Sequence, residues 1–205
     1  MMPALENPVP EALMKWARIA EAQTLPEVFR RTVARVASRP YLGSKVNGAF
    51  RFQTYAQVQV QVHNLAAALI ELGLEPGDRV ANFSNNRPEW PITDLGAVHA
   101  GCVHVPMYAT LNQGDLAYIL KDSRARVVVA ATEEHLRKVL AVEKECPDLE
   151  HVVVIEPCEA DSTKRLWTWQ DLLLMGASKL RTHLPLVDKR VANLMAWDVC
   201  SLVYT

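Results

Sequence analysis

Three side chains able to ligate a metal crowd one short stretch: His99, Cys102 and His104. Zinc sites favour paired ligands at fixed, short spacings. Here the three straddle the end of a helical pattern and the start of an apolar strand, so packing roles are expected instead. Arg87 lies at a helix start in Asn86-Arg87-Pro88-Glu89-Trp90. It either meets an anionic group such as a phosphate or anchors its own loop, and the second is expected. Trp90 reads as a packing anchor; Trp167 and Trp169 read as cover for a sheet edge or a subunit contact. Cys200 falls on an apolar run, residues 198–205, whose burial would leave its thiol un-ionised and inert. Thr205 closes that run with a hydroxyl and, taken by itself, is a plain strand terminus.

These residues must be positioned by alternating strands and helices. Residues 79–84 are short and apolar, and Pro88 and Glu89 then suit a helix start, where a missing N–H loses nothing and a carboxylate meets the positive end. Gly101 can close that helix in a left-handed conformation. Residues 102–106 form the next strand. Thr110 and Gln113 have capping-box spacing ahead of Leu116, Ile119 and Leu120. Residues 126–130 are apolar on both faces, as a parallel strand between helix layers must be. The alternation predicts an α/β fold, a mostly parallel sheet with helices on both faces.

The flanks extend this pattern. Residues 1–23 read as an N-terminal extension with one short helix at 11–21. Thr24-Leu25-Pro26-Glu27 starts a helix that Pro40 ends. Residues 41–52 form a hairpin turning at Asn47-Gly48, and Thr54 caps a long helix that Gly73 stops. Thr132 caps another helix, ended by Pro147, before the apolar strand 152–155. Residues 157–164 read as a polar loop. A short helix, 168–175, stops at Gly176, and a broken helical stretch around Pro185 leads to a last buried strand, 198–205. A buried strand normally turns back to the surface, so a continuation beyond Thr205 is expected.

The 205 residues can bury a sizeable core. Interspersed charges, 22 basic and 23 acidic for a net −1, argue against a nucleic-acid partner. Four scattered cysteines fit reduced thiols in a cytosolic protein. Glu6, Glu11, Lys15 and Arg18 break any secretory core. The uncharged stretch 95–114 holds Gly96, Gly101, His99, His104 and Pro106, which argues against a membrane span.

In order, several stretches resemble the first part of an AMP-forming acyl-CoA synthetase of the adenylate-forming superfamily. They are Phe52-Gln53-Thr54-Tyr55-Ala56-Gln57-Val58, Leu72-Gly73-Leu74-Glu75-Pro76-Gly77-Asp78-Arg79-Val80, Asn86-Arg87-Pro88-Glu89-Trp90, Ala100-Gly101-Cys102-Val103-His104-Val105-Pro106 and Tyr118-Ile119-Leu120-Lys121-Asp122-Ser123. Residues 198–205 resemble the strand leading into the family's T-S-G-T-T-G-x-P-K-G loop. The resemblance runs from Leu25 to the end. Val105-Pro106-Met107-Tyr108-Ala109-Thr110 makes it most similar to long-chain fatty-acid CoA ligases.

The resemblance implies residues 24–205 as the first part of the large AMP-binding domain, stopping at the start of the phosphate-binding loop. It implies ATP, Mg²⁺ and CoA as cofactors and co-substrate and a long-chain fatty acid as substrate. The acid attacks the ATP α-phosphate to give acyl-AMP, and the CoA thiol then displaces AMP. Thr205 becomes the first hydroxyl of the loop, toward ATP phosphates and Mg²⁺. The remaining loop residues, the metal-binding carboxylate and the C-terminal lysine of the family are not in these residues, so this piece is expected to be inactive by itself. A cytoplasmic location is expected, with peripheral membrane association and a homodimer compatible with it, although no basic amphipathic helix argues for the membrane. An acyl-AMP ligase, a carrier-loading adenylation domain and a non-catalytic dimerisation or lipid-binding module are the alternatives.

Overall fold

The computed structural model describes residues 24–156, 158–159 and 162–205. The extension expected at 1–23 lies outside the described residues. The elements in chain order are α1 (Leu25–Val36), β1 (Pro40–Val46), β2 (Ala49–Thr54), α2 (Tyr55–Glu71), β3 (Arg79–Phe83), α3 (Glu89–His99), β4 (Val103–Met107), α4 (Gln113–Ser123), β5 (Ala125–Ala130), α5 (Glu133–Val142), β6 (His151–Val154), β7 (Arg165–Thr168) and α6 (Trp169–Asn193). One 3₁₀ turn, Glu143–Glu145, succeeds α5. No helix among the described residues is long and apolar enough to cross a membrane.

Five parallel strands form the main sheet in the order β4-β3-β5-β6-β7. Ala81 of β3 pairs with Val105 on one side and Val128 on the other. One face of the sheet carries α1, α2, α3 and α6 over a core that includes Phe29, Leu65, Leu69, Ile92 and Leu172. The other carries α4 and α5 over Phe83, Leu116, Leu120, Leu136 and Val139. The chain leaves β3 for β4 in one direction and leaves β5 for β6 in the other. The carboxyl ends of β3 and β5 therefore flank a topological switch point, the place where open α/β sheets bind ligands.

Local signals account for most element ends. Thr54 and Gln57 form a complete capping box on α2, each side chain meeting the other's backbone N–H. Asn47 and Gly48 both have positive φ, 50° and 83°, which gives the β1–β2 hairpin a type I′ turn. The capping residue of α4, however, is Asn112, whose Oδ1 accepts from the Asp115 N–H at 2.9 Å, and not Thr110, which lies in the preceding turn.

Two larger expectations are corrected. Directly after the stretch read as a polar loop, Arg165–Thr168 form a fifth parallel strand, β7, paired with β6, where no strand was expected. From the end of β7 the chain runs on as a single 25-residue helix, α6, which passes through both Gly176 and Pro185. Pro185 and Arg181 are exposed, so the carbonyl that loses its intrahelical donor can turn to water.

Residues 198–205 do not form the buried strand expected of them. They touch the sheet through one bridge, Ser201 beside His104, with the His104 N–H donating to the Cys200 carbonyl and the Leu202 N–H to the His104 carbonyl. Val199 and Val203 are 54% and 66% exposed, and Cys200 is exposed too. The apolar composition supports a strand, but no described element covers its outer side. The burial expected of Cys200 therefore fails.

Candidate functional site

The two edges of the sheet differ in chemistry. At the amino ends of the strands, three arginines are spent on backbone carbonyls. Arg79 donates to the carbonyls of Gly77 and Arg124, Arg126 to that of Gly73, and Arg190 to those of Leu74 and Ala100. The carboxyl ends instead open into a cleft of about 470 Å³. Ser84, Asn85 and Asn86 after β3, Trp90 from the first turn of α3, and residues 106–110 at and beyond the end of β4 line it, with Val203 and Tyr204 closing one wall. A larger groove of about 570 Å³ lies on the outside of α4 and α5. Only residues of helices line that groove, so it carries none of the strand-end geometry.

A buried polar set supports the floor of the cleft. Asn82 on β3 and His104 on β4 project to the same face, beneath α3. The Asn82 Nδ2 donates to the Trp90 carbonyl and to His104 Nε2, both at 3.3 Å. His104 Nε2 is then an acceptor, and its Nδ1 lies 3.1 Å from Asp94 Oδ1. The Trp90 ring stands edge-on to His104, 5.1 Å between centroids. Asn82 Oδ1 has no partner among the described residues. Sequence reading passed over Asn82 because the strand around it is apolar; a lone amide at an inward strand position was the available signal.

The far wall is tied down by His135, also missed. Its Nε2–H donates to the Ala109 carbonyl at 3.2 Å, and its Nδ1 accepts from the Thr132 hydroxyl at 2.9 Å. Phe83 packs edge-on against the ring. The cap of α5 thus fixes the loop after β4. On the other side Arg87 pairs with Glu89 at 2.8 Å and Glu156 at 3.0 Å. That makes it a loop anchor between β3 and β6, as the sequence suggested.

His99, Cys102 and His104 do not converge. Among the described residues no group of three or more His, Cys, Asp or Glu side chains could hold a metal ion. His99 is fully buried and donates from Nδ1 to the Leu95 carbonyl at 2.7 Å. Burial pushes the Cys102 thiol up to about 12. Burial also lowers His99 from 6.5 to about 4, outweighing its bond to Leu95.

A pH dependence arises from His99. Above pH 6.5 both folded and unfolded states hold it neutral, so it contributes nothing to the slope. Between 6.5 and 4 the unfolded chain takes up a proton that the folded chain refuses. Stability is expected to fall across that window by up to about 3 kcal/mol. Chemical denaturation at stepped pH checks this, and His99→Gln should flatten the slope.

Thr205 comes directly after the cleft wall. Tyr204 donates its hydroxyl to Asp122 Oδ2 at 2.7 Å and stands edge-on to Tyr118. Burial and this carboxylate raise the phenol above its ordinary value. The segment is therefore held at two points, β4 through Ser201 and α4 through Tyr204. Thr205 is exposed. Its hydroxyl can supply one oxygen to a phosphate or a magnesium ion. The described residues do not by themselves complete a magnesium site.

A family model described as "AMP-binding enzyme" matches residues 29–205. The chain is 26% identical over 182 residues to the long-chain-fatty-acid–CoA ligase ACSBG2 of Xenopus laevis, covering 89% of this chain and 24% of that protein. It is 32% identical over 160 residues to the long-chain-fatty-acid–CoA ligase FadD15 of Mycobacterium bovis, covering 78% and 25%. Among solved structures, the anthranilate CoA ligase AuaEII in complex with anthranoyl-AMP superposes with a TM-score of 0.65 at 26% identity, over 75% of this chain and 28% of that one. The chain spans about a quarter of the length of the curated relatives it matches.

Proposed function

The chain belongs to the AMP-binding enzyme family, and from that premise we propose that it forms the first part of the AMP-binding domain of a long-chain fatty-acid CoA ligase. The reaction converts fatty acid, ATP and CoA into acyl-CoA, AMP and pyrophosphate through an acyl-AMP intermediate. One observation supports the reading: residues 198–205 join β4 at Ser201, and Val203 and Tyr204, immediately before Thr205, close one wall of the cleft at the carboxyl ends of the strands. In the proposed role the Thr205 hydroxyl meets the ATP phosphates and Mg²⁺ at the start of a phosphate-binding loop. Magnesium, when bound, offsets phosphate charge. The described residues have a narrower task. Asn82, His104 and Asp94 hold the first turn of α3, His135 holds the loop after β4, and Tyr204 fixes the direction in which Thr205 leaves the sheet.

The substrate assignment is tested by acceptor and acid. Protein from the reading frame that contains these residues should form thioester from palmitate and CoA faster than from acetate or anthranilate. Transfer to a carrier protein in place of CoA would overturn the ligase reading. The 205 residues expressed alone are expected to give no ATP-dependent pyrophosphate exchange above a blank, because no loop glycine comes after Thr205 among them.

A further inference from the structure

The β1–β2 ribbon has no part in the cleft. It is a separate two-stranded sheet, and it carries the most exposed aromatic pair of the β-structure. Phe50 and Phe52 are 67% and 58% exposed, with ring centroids 6.1 Å apart. Both project to one face, where Phe50 pairs across the ribbon with Lys45 and Phe52 with Gly43. The Phe52 ring lies directly over Gly43: a Cβ there would sit 2.6 Å from it. The ring is thereby held against the ribbon, with its outer side left to solvent. Arg51, between the two rings in sequence, pairs with Ser44 and projects to the opposite face. The turn itself, Val46-Asn47-Gly48-Ala49, is uncharged, and Val46 is exposed.

Charge selects the partner. From residue 28 to residue 70 the sequence has no Asp or Glu, whereas Arg39, Lys45 and Arg51 lie along the ribbon. None of the three is among the ion pairs formed by the described residues. Exposed aromatic rings at the level of cations, behind an uncharged tip, match the layering of a bilayer interface. There the rings sit at headgroup depth and the cations meet anionic lipid. We propose that the β1–β2 hairpin docks this protein on membranes rich in anionic lipid, with Phe50 and Phe52 inserted and Lys45 and Arg51 at the headgroups. The proposal stands apart from the ligase reading, and its test contains no nucleotide, acid or CoA.

Flotation of the full chain with vesicles checks it. Phosphatidylcholine vesicles containing phosphatidylserine should carry the protein up, phosphatidylcholine alone should not, and salt should weaken the binding. Phe50→Ser with Phe52→Ser, and separately Lys45→Glu with Arg51→Glu, should each lower the bound fraction about tenfold. Thermal unfolding of these surface variants should match the wild type. Failure of the wild type to float with phosphatidylserine overturns the proposal, as does undiminished binding of the phenylalanine variant. Wild-type dimers that the phenylalanine variant converts to monomers, without vesicle binding, would make the ribbon a self-association surface and equally overturn it.

Discussion

Replacing Gly176 by alanine is expected to lower the melting temperature by about 10 °C, corresponding to a loss of about 3 kcal/mol. Helix propensity predicts the opposite sign, because alanine in a helix interior is favoured over glycine by about 1 kcal/mol. Packing decides it. A Cβ at Gly176 would lie 1.8 Å from the Asn64 carbonyl oxygen and 2.7 Å from its carbon. These are backbone atoms of α2, which cannot rotate away, so the two helices must separate along a contact that seats Leu172 in the core. Gly114→Ala is the control, since its Cβ meets only Asn112 Oδ1 at 3.3 Å, and its effect should stay within about 1 kcal/mol. A Gly176→Ala protein as stable as the wild type would show that α6 does not lie against α2 at this distance.

Arg190→Ala should cost a comparable amount, about 3 kcal/mol, measured by denaturant unfolding. Arg190 is 7% exposed, and its Nη1 donates to the Leu74 and Ala100 carbonyls, both at 2.8 Å. Truncation leaves two acceptors at the base of β3 and β4 without their donor and opens a void where the guanidinium was. Its ion pair with Glu75 contributes little, because that carboxylate's side chain is 76% exposed. Glu75→Gln should therefore be nearly neutral. If Glu75→Gln proved as damaging as Arg190→Ala, the ion pair and not the carbonyl fork would be the important contact.

Both of these residues lie on α6, the element the sequence disguised. Gly176 and Pro185 are stop signals by local propensity, and a reading confined to near neighbours must end the helix at one and break it at the other. Gly176 is there because another helix needs its space, and Pro185 is tolerated because its orphaned carbonyl faces water. Neither reason is visible without the partner. The parallel core was easier to read. Residues 79–130 carry their apolar strands, caps and glycine stops in short range, so the alternation of β3, α3, β4, α4 and β5 was apparent. The short β7 was hidden by the polar residues before it.

The site was legible in part. The loop after β3, Arg87 as its anchor and Trp90 as a packing residue all stood out. Asn82, Asp94, His104 and His135 did not appear as a functional set, because their relation is across strands and between a strand and a helix. The final segment shows the opposite error. Its composition suggested burial, yet exposure depends on what covers a strand, and Val199 and Val203 face outward.

The two sheet edges divide the labour. Arginines lock the amino ends of the strands, and the carboxyl ends stay open, with Val203 and Tyr204, just before Thr205, on the wall of the cleft. Fatty-acid-dependent exchange of pyrophosphate into ATP, measured on the protein translated from the whole reading frame that contains these residues, tests this most directly. The expected result is exchange that requires the fatty acid and falls sharply in Thr205→Val with the fold intact. Exchange absent from that protein, or unaffected by Thr205→Val, would contradict it.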